Sequence, residues 1–130
     1  MNRYSTPEAD AQRAIVQALR VALPRDAIVH HCANEVTEAG SQGQIRQSIL
    51  VGMGVHAGFA DLIVISGGRV MFLKVKSHTN RLRKSQEVFR DTVCAQGFGW
   101  ALVRSVDDAL SALADHGFTS RVRPVRRLAP

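Results

Sequence analysis

Two apolar runs joined by Gly67-Gly68 constrain this chain more than any other feature. Leu62 to Ile65 is rich in β-branched residues, and Arg69 to Val75 is its return partner. A pair of glycines between such runs supplies the positive φ that a two-residue hairpin turn needs. Apolar residues nearly fill both runs, which is the pattern of strands buried on both faces. An antiparallel hairpin at the centre of a covered sheet follows.

The flanking segments supply the cover. Ser5 or Thr6 can cap a first helix, with Pro7 at its first position and Glu8 and Asp10 in its first turn. Ala14, Ile15, Ala18, Leu19 and Ala22 recur at helical spacing and form one apolar face, and Pro24 stops the helix. Ala27 to Cys32 reads as a short strand. A second helix is expected over Arg81 to Ala95, with Leu82, Val88, Phe89, Val93 and Cys94 as core candidates and Gly97 and Gly99 closing it. Trp100 to Val103 reads as a strand and Val106 to Ala114 as a last helix capped by Ser105. A strand, a helix and a strand in that order suggest a crossover and a parallel pair. The expected fold class is therefore α/β, a mixed sheet flanked by helices. One domain over residues 1–117 is expected, followed by a basic tail over 118–130 that carries Arg121, Arg123, Arg126 and Arg127.

Residues Asn34 to Ala57 resist this reading. Gly40, Gly43, Gly52 and Gly54 alternate with Gln42, Gln44 and Gln47, so a long polar loop is expected, with a short helix around Ile45 to Val51. A loop of this length inside a compact domain is commonly functional. Gly52-Met53-Gly54 lacks the strand, helix and lysine that surround a phosphate-binding loop.

The net charge is +6, which favours a polyanionic partner. No apolar run is long enough to span a bilayer, and Met1 to Asp10 lacks the apolar centre of a signal peptide. A cytoplasmic protein with reduced Cys32 and Cys94 is the expectation. His30-His31-Cys32 is a weak ligand cluster, because neighbours in a strand face opposite sides.

The hairpin and its surroundings resemble the VRR-NUC domains of the PD-(D/E)xK nucleases, a restriction-endonuclease-like group. The carriers are Glu8, Asn34-Glu35, Gly58-Phe59-Ala60-Asp61, Lys74-Val75-Lys76, then Leu82, Lys84, Gln86, Gly97 and the run from Val103 to Leu110. The resemblance spans Pro7 to about Ala114. It implies a metal-dependent, structure-selective DNA endonuclease that works on branched or flap DNA in Mg²⁺ or Mn²⁺. Phage enzymes and DNA repair are the family's settings, and homodimers are common among its stand-alone members. By resemblance, Asp61 is a metal ligand, the Val75 carbonyl a second, and Glu8 an outer carboxylate. Lys76 is the catalytic lysine, and Gln86 reaches the scissile phosphate or its water. Arg46, His78, Arg81, Arg83 and Lys84 are candidate DNA contacts by charge and position. Each residue also has a plain reading as a strand start, a solvated charge or a helix surface residue.

Lys74 departs from the pattern, which has Glu at that place. Exchanging a carboxylate for an ammonium about 4 Å from a dication disfavours metal by on the order of 10 kcal/mol at an effective dielectric near 20. The chain is therefore expected to be an inactive or impaired form, or a non-catalytic nucleic-acid-binding domain on the same fold. Lys74 can pair with Asp61 and fill the ion's place, or it can be a surface lysine whose head reaches water.

Overall fold

The computed structural model describes residues 6–33, 40–78 and 80–122. Asn34-Glu35 and the arginines at 123, 126 and 127 lie outside the described residues. The elements run α1 (Pro7–Ala22), β1 (Ile28–His31), α2 (Gly40–Gly52), β2 (Leu62–Ser66), β3 (Arg69–Val75), α3 (Lys84–Ala95), β4 (Gly99–Val103) and α4 (Val106–Asp115). The sheet order is β1-β2-β3-β4. The first two pairings are antiparallel and β3 with β4 is parallel. The expected mixed α/β sheet and its crossover are what the chain builds.

Strand parity divides the packing. Leu62, Val64, Met71, Leu73, Val75 and Val103 pack with Ile15 and Leu19 of α1 and with Ala109 and Leu113 of α4. The alternate residues face the other way, where Phe72 and Trp100 meet Phe89 and Val93 of α3. Phe72 and Phe89 stack edge to face with centroids 5.4 Å apart. Helices thus lie on both faces, but α3 covers only part of its own, and Ile65 of β2 stays 40% exposed, so β2 is not buried on both faces as expected. Hydrophobic burial drives this, at roughly 1.5–3 kcal/mol for each large apolar side chain.

Helix α1 begins as expected: Thr6 Oγ1 accepts a hydrogen bond from the Ala9 N–H at 3.0 Å. Its buried stripe is Ile15, Leu19 and Ala22, while Ala14 is exposed. The segment read as a loop holds a 13-residue helix, α2, rather than a short one. Helix α3 starts at Lys84, three residues later than expected, because Gln86 Oε1 accepts from the Arg83 N–H at 2.9 Å and closes the first turn there. Cys94 is exposed and Val88 is 48% exposed, so neither is a core residue. Phe118 is buried in the α1/α4 core, and the Arg121 N–H donates to the Ala22 carbonyl at 2.6 Å. The chain just past residue 117 therefore packs on the domain. Among the described residues no helix is long and apolar enough to cross a membrane.

Candidate functional site

The site forms where β2 begins and β3 ends. The ladder pairs Leu62 with Leu73, so the next rung sets Asp61 opposite Lys74. Both project to the α3 face, since parity sends Leu62 and Leu73 to the other. The Asp61 main chain is held on both sides: its N–H donates to the Leu73 carbonyl at 3.0 Å, and its carbonyl accepts from the Cys32 N–H at 2.8 Å.

The Asp61 carboxylate is 3% exposed and both its oxygens are engaged. Oδ2 accepts from the Val75 N–H at 2.7 Å, and Oδ1 accepts from Lys74 Nζ at 3.1 Å. Lys74 is 5% exposed, so it is not a surface lysine. A buried ion pair of this kind survives only because each charge compensates the other. The carboxylate also helps hold the half-buried Cys32 thiol above its ordinary value, after burial itself.

Lys76 follows two residues on and is also buried. Burial pushes its ammonium below the ordinary lysine value. The Lys74 charge adds to this, while Glu8 and Asp61 act against it. Gln86 is buried beside the cleft, with its carbonyl oxygen spent on the Arg83 N–H. Glu8 Oε1 accepts from Asn80 Nδ2 at 2.7 Å and from the Ser77 N–H at 3.3 Å. These residues surround an open cleft of about 970 Å³, lined by Glu8, Lys74, Lys76, Arg83 and Gln86 together with part of α2.

The structure thus brings Glu8, Asp61, Lys74, Lys76 and Gln86 together, with Val75 supplying an N–H to Asp61. Of the candidate DNA contacts, Arg83 lines the cleft. Arg46, His78, Arg81 and Lys84 are exposed outside its lining.

Gly58 sets how closely α3 approaches. Its φ is +78°, and a Cβ there would lie 2.2 Å from the Ser85 carbonyl oxygen and 2.7 Å from the Gln86 nitrogen. The bare backbone lets the first turn of α3, and Gln86 with it, sit against the hairpin.

Arg104 is the residue that sequence reasoning passed over. Its guanidinium donates to the Ser77 carbonyl and, at 3.1 Å, to the Asn80 carbonyl. It thereby ties the segment after Lys76 to the end of β4. Only its place in the run from Val103 to Leu110 hinted at a role. Arg104→Ala is expected to lower stability by about 1–2 kcal/mol, from two hydrogen bonds to a charged group that is partly solvated. Urea denaturation checks the loss.

Magnesium and manganese need several hard oxygen donors and room for water. Among the described residues no three His, Cys, Asp or Glu side chains come together as a candidate metal site. With Lys74 on Asp61, the residues present do not fit a divalent ion.

The architecture is an α/β core with its polar cluster at the mouth of the central hairpin. A solved structure described as a VRR_NUC domain protein superposes with a TM-score of 0.66, covering 87% of this chain and 89% of that chain at 16% sequence identity. That likeness establishes the fold. No protein-family model and no curated protein matches the sequence.

Proposed function

We propose that this chain is a nuclease-type domain that binds branched or flap DNA and whose metal-dependent endonuclease chemistry is silenced by Lys74. One observation carries the reading: the Lys74 ammonium lies on the Asp61 carboxylate at 3.1 Å, in a cleft that also holds Lys76 and Gln86. Hydrolysis of a phosphodiester needs charge neutralisation at the phosphate and an activated water, and a divalent ion supplies both. Here the ammonium supplies one positive charge at the carboxylate and no activated water. Lys76 and Arg83 remain as phosphate contacts, and the +6 net charge supports a polyanionic partner.

The test is restoration. Lys74→Glu is expected to cleave branched or flap DNA in Mg²⁺ or Mn²⁺, and the parent chain is not. No cleavage of any DNA form by the variant would overturn the proposal. A non-catalytic DNA-binding domain is the second reading, favoured by the completeness with which Val75 and Lys74 satisfy Asp61. It expects no metal binding in either form, so calorimetric titration of Mg²⁺ separates the two. A single cleft is small for a branched substrate, which favours two symmetric copies. Sedimentation of the free protein checks that assembly.

A further inference from the structure

Helix α2 has two unlike faces, and their placement is the reverse of what a simple cover would show. Gly43, Gln44, Gln47 and Ser48 fall on one stripe at helical spacing and line the cleft. Ile45 and Ile49, one turn apart, are 55% and 56% exposed, and Met53 just past the helix is 79% exposed. A helix serving only to shield the hairpin would turn its isoleucines inward. This one presents uncharged hydrogen-bonding groups to the cavity instead. Its one charged residue, Arg46, does not line the cleft.

The rest of the lining carries the cations Lys74, Lys76 and Arg83, with the Glu8 carboxylate among them. The glutamines and the cations suit different parts of one ligand. Ammonium and guanidinium groups hold phosphate oxygens and carry no sequence information. A glutamine amide offers donors and an acceptor together. Phosphate oxygens only accept, so they use half of that capacity. A base edge shows donors and acceptors side by side, and glutamine pairs in bidentate fashion with adenine. Such edges are available to a side wall when the bases are unpaired.

We propose that α2 is a base-reading wall: Gln44 and Gln47 hydrogen-bond the exposed base edges of an unpaired DNA segment whose phosphates rest on Lys76 and Arg83. This rests on the DNA-binding reading above and adds to it the substrate class, unpaired strand, and a source of sequence preference. A flap presents such unpaired nucleotides, which a fully paired junction does not.

Fluorescence anisotropy with labelled oligo-dA, oligo-dT, oligo-dC and a blunt duplex, over a salt series, tests it. The parent chain is expected to prefer oligo-dA by roughly tenfold, within the range of one good bidentate contact. In the Gln44→Ala/Gln47→Ala double variant that preference should fall to within about twofold, while the salt dependence stays unchanged. Alanine is a better helix former than glutamine, so the exposed turn should keep its structure. Arg83→Ala should do the opposite, keeping the preference and reducing the salt slope by about 0.7. Duplex binding should be indifferent to the glutamine changes. Preference for oligo-dA that survives the double variant, or a parent chain that binds all single strands alike, overturns the base-reading wall while leaving DNA binding intact. A parent chain that binds no DNA at low salt overturns the DNA reading itself, and the wall with it.

Discussion

Lys74→Glu will be less stable than the parent chain in chelator and will be stabilised by Mg²⁺ or Mn²⁺, whereas the parent chain will respond to neither ion. The change removes the ammonium from a carboxylate that is 3% exposed and sets a second carboxylate beside it. Breaking a buried pair costs about 3–5 kcal/mol, because the remaining charge stays desolvated. A dication that binds the folded variant and not its unfolded chain returns about 2.7 kcal/mol at a hundredfold excess over its Kd. Urea denaturation in chelator and in each ion measures both parts without reference to cleavage. A variant as stable as the parent chain in chelator would mean that Lys74 and Asp61 are not coupled. A variant that is destabilised but indifferent to metal would support the pair and favour the non-catalytic reading. Cleavage, metal response and stability are therefore three separate readouts of one position.

Gly58→Ala is expected to cost about 4 kcal/mol, at the upper end for a single substitution. A positive φ costs an alanine about 1–2 kcal/mol. The larger part is steric. The new Cβ would sit 2.2 Å from the Ser85 carbonyl oxygen and 2.3 Å from its carbon. These are backbone atoms of the first turn of α3, which cannot rotate aside as a side chain would. Either the helix start moves or the Gly58 loop does, and Gln86 leaves the cleft in the first case. Gly67→Ala is the control. Its φ is +58°, yet a Cβ there meets nothing within 4 Å. It should cost only the conformational part, about 1–2 kcal/mol. Equal losses at the two glycines by urea denaturation would refute the contact argument.

The elements differ in how visible they were before folding, and the reason is local in each case. The hairpin was legible because Gly67-Gly68 sits between two apolar runs, and its register followed from the two-residue turn. Helices α1 and α4 carry their caps, Thr6 and Ser105, in sequence. Helix α2 was legible only as a short helix around Ile45 to Val51, because Gly40, Gly43 and Gly52 lower helix propensity and its apolar residues do not form a core stripe. The start of α3 was misplaced because a reciprocal Gln86–Arg83 bond sets it. Cys94 and Val88 were misread as core since the α3 face that packs is narrow, limited to Gln86, Phe89 and Val93.

The site divides in the same way. Period-two alternation along β3 is a covalent property of extended chain, so the sequence by itself placed Lys74 and Lys76 on one face, and the hairpin register placed Asp61 on it too. Whether Lys74 turned inward or reached water was open in the sequence, because a long flexible side chain can do either. Tertiary structure decided it. Folding leaves Asp61 3% and Lys74 5% exposed, so the carboxylate there has lost its water and needs a counter-charge, and the Lys74 ammonium is positioned to supply it. The polar stripe of α2 in the cleft lining was also invisible until folding, since only long-range packing brings Gln44 and Gln47 to the same cavity as Lys76.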